Sequence, residues 1–392
     1  MTAGKSKLDV FAMEGINSLA TTYFFYDVYF YTQAQFNFRA LQNLVLAAAL
    51  GAVYAVAAIF GGRFAQKFGY ATSVRWGSGL MALVFLVGSQ VEGLPATLAV
   101  IVAGTLALCL TWPALEALAS EGEPPARLQS LVGIYNVVWA VTGAFAYFTG
   151  GAMMQKWGYK SIFYIPGILL FLEMALAFRL EREEKRRPRV ALNPPWLRAA
   201  PEGHASPVSP AVFLKMAWLA NPLAYLAINT VVSTAPSLAR SFKFTPMLAG
   251  FVWSIWLFVR AGAFVLLRLW PRWHYRFRFL AGSYIAMIVA FGAMLLARNI
   301  WVLVASQTVF GLAVGLLYYS SLFYSMDVGQ TKGEHGGIHE AAIGAGNAAG
   351  PGMAAAALVL FPDTPGSGAM AVCGMLLLGL GGLYWMRFRP RN

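Results

Sequence analysis

Apolar windows of about twenty residues, the length needed to cross a ~30 Å hydrocarbon layer, can be laid out twelve times along these 392 residues. In lipid each backbone N–H and C=O must be paired within its own segment, so the pattern predicts an all-α membrane protein with twelve transmembrane helices. Six windows fall at 10–31, 41–61, 72–91, 97–119, 128–150 and 161–180, and six at 212–233, 247–269, 280–297, 301–324, 338–361 and 369–386. Between the two sets stands Glu181 to Pro210, EREEKRRPRVALNPPWLRAAPEGHASPVSP, where charge gives way to proline-rich filler and no stretch is long enough to span. The expected organisation is two pseudo-symmetric six-helix bundles, residues 1–180 and 211–392, tied by a linker over 181–210.

Composition agrees, since 59% of residues are hydrophobic and only 11% charged, against about a quarter charged in a soluble domain. The net charge of +13 would suggest nucleic acid in a soluble chain, but here the bases flank apolar windows, where they set orientation, and no nucleic-acid partner is expected. Twenty-two Lys and Arg fall on the side of the termini and six on the other (Arg39, Lys156, Lys160, Arg240, Lys243 and Arg298), with Arg260 inside a window. This bias places both termini and the linker in the cytoplasm, for an integral protein of a bacterial inner (plasma) membrane. Lys5 and Lys7 imitate the start of a signal peptide, but the run behind them is too long and contains Glu14, Asn17 and Asp27, so a retained first span is expected.

Cys109 and Cys373 lie in apolar runs of different halves, which gives no support to a disulfide or a thiolate metal site. His204, His274, His335 and His339 show no H-E-x-x-H spacing; His339 and Glu340 are adjacent at the start of the eleventh window, where an acid suits a helix N-terminus. No Gly-x-x-x-x-Gly-Lys-Ser/Thr loop occurs. No metal, cofactor or catalytic residue is expected.

The halves match at one constant offset, which carries Leu41 onto Leu248 and Gly143 onto Gly350 without a gap. Three short stretches add to this. Gly62-Arg-Phe-Ala-Gln66-Lys-Phe-Gly69-Tyr70-Ala71 is a glycine-punctuated basic loop between the second and third windows. Gly150-Gly151 is followed by Trp157-Gly158-Tyr159-Lys160-Ser-Ile-Phe163, and the eleventh window contains Gly346-Asn-Ala-Ala-Gly350-Pro351. The first resembles the Gly-x-x-x-Asp-x-x-Gly-x-Lys/Arg loop of the major facilitator superfamily, with Gly62 and Gly69 in place and Gln66 where the family has an acid. The second is similar to the Gly-Gly and Gly-Trp-Arg-x-x-Phe pattern of the same family. The third resembles an antiporter element found there in span five, but here it stands in the other half, and close helix packing is the readier explanation of its small residues. The resemblance implies two bundles rocking about a central cavity lined by spans one, four, seven and ten, with Gly62, Gln66 and Gly69 forming a gating loop.

An ionisable group at mid-membrane costs at least ~2.5–3.5 kcal/mol and should face protein or water, which narrows the search for site residues. Inside windows stand Glu14, Asp27, Glu116, Glu173, Arg260 and Glu340. Arg260 has Trp253 and Trp256 one and two turns earlier, rings that a guanidinium can stack on while it meets an anion. Asp27 shares its neighbourhood with Tyr23, Tyr26 and Tyr31. Polar and aromatic stripes at helical spacing add Trp112 with Glu116, Tyr135 with Trp139, Gln307 with Tyr318, and Glu340 with Asn347. The expected substrate site draws on Asn17, Tyr23, Asp27, Trp112, Tyr135, Trp139, Trp253, Trp256, Arg260, Gln307, Tyr318 and Asn347, with Asp27, Glu116 and Glu340 as proton carriers. Glu173, in an outer span, is expected to make a structural hydrogen bond.

The function these residues predict is secondary transport of a small organic solute by alternating access, coupled to protons, carried out by a monomer. Uniport or export of drugs or metabolites is the alternative among transporters. A transporter-like sensor or assembly partner is the alternative outside them, and it calls for a large soluble output region that these residues do not contain.

Overall fold

The apolar windows fold as helices, the fourth and the eighth each in two pieces. The computed structural model describes residues 3–121, 125–186, 209–328 and 332–389. The first half comprises α1 (Ala3–Phe36), α2 (Ala40–Phe68), α3 (Tyr70–Gly88), α4 (Leu94–Leu108), α5 (Trp112–Ser120), α6 (Pro125–Trp157) and α7 (Ser161–Arg186). The second comprises α8 (Pro210–Ser241), α9 (Pro246–Trp253), α10 (Ile255–Leu269), α11 (Phe277–Leu295), α12 (Ile300–Val328), α13 (Lys332–Leu360) and α14 (Ser367–Phe388). Taken together, α4 and α5 make the fourth span, and α9 and α10 the eighth. Among the described residues eleven spans are long and apolar enough to cross a membrane. The twelfth is α1, whose 34 residues suffice in length but are diluted by Glu14, Asn17, Asp27 and tyrosines. Residues 181–186 of the expected linker continue α7, and 187–208 lie outside the described residues.

The break in the fourth span follows from one residue. Pro113 stands in the first turn of α5 and has no N–H to offer the carbonyl four residues back, that of Cys109. The freed carbonyl projects sideways into α2 at Gly61, where any side chain would collide with it. Loop glycines do a different job: Gly69, the single residue between α2 and α3, has φ +101°, and Gly158 has φ +82°, both in the left-handed region where a side chain is strained.

The bundles meet along two seams. On one, α2 runs antiparallel to α13, and Gly51 abuts the backbone of Asn347 and Ala348 while Gly344 abuts that of Ala55. On the other, α6 meets α9 and α10: Gly151 receives the Pro246 carbonyl, and Arg268 donates to Ser130 at 3.2 Å. Small residues let the backbones approach this closely, which is how helices attract one another where lipid removes the hydrophobic drive. Gly346 and Gly350 serve packing within the second bundle, against the carbonyls of Pro222 and Leu226 in α8. On the side of the termini, Lys7 donates to the carbonyls of Leu118, Ala119 and Glu121 (2.8, 3.2 and 2.9 Å) at the end of α5, satisfying orphan acceptors there. Arg179 pairs with Asp9 at 3.1 Å and Arg75 with Glu181 at 3.0 Å, fastening α7 to α1 and α3.

Candidate functional site

Where the two seams face each other the helices leave a cavity of ≈150 Å³. Thr21, Thr22, Phe25, Tyr26 and Tyr29 line it from α1, Leu50, Gly51 and Tyr54 from α2, and Thr105, Leu108 and Trp112 from the fourth span. Trp139, Ala140 and Gly143 of α6 complete the first-bundle wall. Opposite stand Tyr225, Ile228 and Asn229 of α8, Leu257 and Arg260 of α10, and Glu340, Ile343 and Asn347 of α13. The wall is largely apolar and aromatic with a few polar groups, the usual make-up of a small-molecule site.

Arg260 dominates the electrostatics. It is 2% exposed, and its guanidinium carbon lies 4.4 Å from the Trp139 ring and 4.8 Å from the Trp256 ring, one indole from each bundle. Trp139 is in turn stacked on Tyr318 at 5.1 Å and 7°, Trp112 meets Trp139 edge-on at 6.0 Å, and Tyr26 stacks on Trp256 at 6.3 Å. The rings stabilise the cation through their faces but accept none of its hydrogen bonds, and Nε and Nη1 have no partner. No carboxylate pairs with Arg260 among the described residues. A buried charge in this condition is costly unless something else supplies the anion.

A second group lies beside it. Tyr54 Oη donates to Glu340 Oε2, and one donor atom each from Glu116, His339 and Glu340 lies within 4.8 Å of the others. All three are buried, and Glu116 Oε1, Glu340 Oε1 and His339 Nε2 are unpartnered. Glu116 belongs to the first bundle and Glu340 to the second. Two bare carboxylates this close inside a membrane repel, so they must share a proton or a cation; the donor set could take a divalent ion, and the Tyr54 hydroxyl equally fits carboxyl groups held by hydrogen bonds.

The sequence profile described as Major Facilitator Superfamily matches residues 10–351. The chain belongs to the major facilitator superfamily. Solved structures of the same fold include the human organic anion transporter MFSD10 (TETRAN), at 14% identity and TM-score 0.72, covering 98% of this chain and 100% of that one. The nucleoside transporter NupG, in a mutant form, aligns at 14% identity and TM-score 0.68, covering 97% and 99%. An auto-inhibited POT family peptide transporter aligns at 13% identity and TM-score 0.74, covering 99% and 98%. No curated protein sequence matches this chain. At such identities the likeness establishes the fold, and family and fold together make the protein a membrane transporter and not an enzyme.

For a superfamily member of this kind the resemblance implied a cavity lined by spans one, four, seven and ten. The observed lining also draws on spans two, five, eight and eleven, while span ten stays behind the wall with Tyr318 supporting Trp139. Of the residues singled out from sequence, Trp112, Trp139, Arg260, Glu340 and Asn347 line the cavity, and Trp256, Tyr318 and Glu116 touch those that do. Others are placed elsewhere. Asn17 donates to both carboxylate oxygens of Glu173 at 3.1 and 2.9 Å, Tyr23 shares a 2.6 Å hydrogen bond with Ser161, and Tyr135 packs with Val10 and Met13. Asp27 is buried against α6, where Gly150 has no side chain to displace its carboxylate, and its Oδ2 has no partner. Trp253 and Gln307 are buried off the cavity lining, with the Trp253 indole N–H and both Gln307 amide atoms unpartnered. The stretch expected as a loop is helical except for Gly69: Gly62 lies in α2, buried against Gly337 of α13, and Gln66 is exposed in the last turn of α2.

Sequence reasoning missed Tyr54, Tyr225 and Asn229, and it gave His339 only a helix-terminus role. Asn229 Nδ2 donates to the Asn347 carbonyl at 2.9 Å, bracing α8 against α13 beside Arg260. Tyr54 had a usable signal, being the only hydroxyl-bearing side chain in its apolar window.

Proposed function

We propose that this protein is a secondary transporter that carries a small organic solute bearing a negative group across the bacterial inner membrane, by alternating access, as a monomer, with protons as coupling ion. The observation that carries this reading is Arg260, a buried guanidinium in a cavity between two mobile bundles, held by two indoles and lacking an anion. A solute carboxylate or phosphate would complete it. The solved structures of this fold include transporters named for organic anions, nucleosides and peptides, so the choice of solute falls to the cavity itself.

Proton coupling is supported by the carboxyl pair across the seam. Glu116 and Glu340 touch only while α5 and α13 touch. Rocking of the bundles parts them, which changes how readily they hold a shared proton and so ties proton binding to conformation. Asp27, the first carrier suggested by sequence, is set back from the cavity between α1 and α6 and is the weaker candidate. Cytoplasmic termini are supported by the basic residues, twenty-two against six. Single cysteines at Ala200 and Gly366, in a background without Cys109 and Cys373, should label from opposite faces of sealed cells; labelling of both from outside overturns the orientation.

The test is uptake into proteoliposomes from a panel of labelled organic anions, with and without an imposed pH gradient. Gradient-driven accumulation that is lost in Arg260→Lys supports the proposal. Uptake confined to uncharged solutes, or indifferent to Arg260→Lys, overturns the anion reading, and accumulation indifferent to the gradient overturns the coupling.

A further inference from the structure

The cavity lining contains two charged side chains, Arg260 and Glu340, of opposite sign. They do not pair with each other. Arg260 is held by indoles with Nε and Nη1 open, and Glu340 is held by Tyr54 with Oε1 open. Opposite charges in one low-dielectric cavity attract strongly, and a fold that merely had to neutralise them would let them meet. Here each is fixed by aromatic neighbours apart from the other, so that each presents an open hydrogen-bonding atom. Both charges come from the second bundle, α10 and α13, whereas Tyr54, Trp112 and Trp139 bring ring surfaces from the first.

Three occupants can be compared. A simple anion satisfies Arg260 and leaves Glu340 to be neutralised by protons. A simple cation satisfies Glu340 and leaves the guanidinium unpaired, which is the costlier omission because arginine does not lose its proton. A solute with both charges satisfies both sides at once. A cavity of ≈150 Å³ is of the size that holds a molecule such as benzene, so such a solute must be compact. The carboxyl chemistry is compatible: if Glu116 and Glu340 hold one proton between them, their net charge of one is matched by one ammonium group, with the proton left on Glu116.

We infer that the transported solute is an amino-acid-sized zwitterion, its carboxylate on Arg260 and its ammonium on Glu340 within the aromatic wall. This rests on the transporter reading above and narrows it.

The test uses the full-length protein in detergent and a ladder of ω-amino acids of two to six carbons. Each is compared with the carboxylate and the amine of the same chain length, and dissociation constants are read by equilibrium binding of labelled compounds. At one or two chain lengths the zwitterion should bind about tenfold or more tighter than either singly charged partner, the worth of one charged hydrogen bond. Glu340→Gln should bring zwitterion and carboxylate to within a few-fold of each other, and Arg260→Gln should bring zwitterion and amine together. The trimethylammonium analogue of the best zwitterion separates an N–H donor to Glu340 from attraction to the rings alone. If the carboxylate binds as tightly as the zwitterion at every length in the unaltered protein, the zwitterion inference fails while the anion reading stands. If no carboxylate-bearing compound binds in an Arg260-dependent manner, both fail. The comparison in the unaltered protein decides the matter even if a variant does not fold.

Discussion

Two groups of buried polar side chains, one inside the first bundle and one where the bundles meet, are partnered in different ways. Inside the first bundle, Asn17 is given to Glu173, Ser18 donates to Glu14 at 2.7 Å, Thr32 donates to Asn43 at 2.7 Å, and Asn43 donates to the Tyr29 carbonyl at 3.1 Å. At the joint between bundles, Arg260, Glu116, His339 and Glu340 each keep an open hydrogen-bonding atom. Helices within a bundle stay in contact, so a bond between them is permanent and worth making. In the alternating-access scheme proposed above, groups at the joint part as the bundles rock, and partners that bind and leave serve better there than fixed ones. An open atom alone does not mark the joint, since Asn17 Oδ1, Glu14 Oε2, Asp27 Oδ2 and the Gln307 amide are also unpartnered; what sets the joint apart is that charged groups of opposite sign keep open atoms at one cavity between the bundles.

This contrast can be broken at several points. The largest effect belongs to Arg260→Lys, which keeps the charge but loses the planar fork and its stacking between Trp139 and Trp256. Substrate affinity should fall about ten- to a hundredfold with the melting temperature little changed, measured on the same preparation. A parallel loss of affinity and folding would make Arg260 a structural residue and erase the contrast. Next, Glu340→Gln and Glu116→Gln should abolish accumulation against a gradient while solute counterflow persists in proteoliposomes; a variant that still accumulates is not the proton carrier.

Smaller effects test the first bundle. Asn17→Leu leaves the Glu173 carboxylate without its donor and should cost about 1–3 kcal/mol in thermal or denaturant unfolding. Asn17→Leu with Glu173→Leu together should recover most of that loss, because a buried polar pair replaced as a unit is tolerated. Substrate preference should be unchanged in both, and a shift in preference would move these residues into the site. Gln66→Ala, exposed in the last turn of α2, should change stability by no more than about 0.5 kcal/mol.

The twelve spans and the central place of Arg260 were legible because lipid imposes large penalties that composition cannot hide. Trp256 was legible as its stacking partner, since four residues bring a side chain back to one helical face. Trp139 was visible only as a stripe on another span; that it meets the same guanidinium depends on how two bundles dock, which no local pattern encodes. Asp27 shows the limit of a face assignment: its neighbour Tyr26 lines the cavity, and one residue of helix, a turn of about 100°, takes Asp27 to α6 instead. Tyr54 is a single hydroxyl in an apolar run, where periodicity gives no direction, whereas Asn229 stands in a stripe of Asn221, Tyr225, Asn229 and Ser233 at every fourth residue, a signal that sequence reasoning passed over. The fourth window was expected as one unbroken span; Pro113 marks where it breaks, and the glycine that receives the freed carbonyl lies on a different helix.

The ring contacts around Arg260 also have an optical meaning. Trp139 of the first bundle and Trp256 of the second both lie against one positive charge, and Trp112 touches Trp139 edge-on. Indole emission responds to the local electric field and to nearby solvent, so neutralisation of the guanidinium by a solute, or separation of the two indoles as the bundles rock, should alter both colour and intensity. A protein that retains only these three of its twelve tryptophans would report occupancy and conformational change without any attached dye.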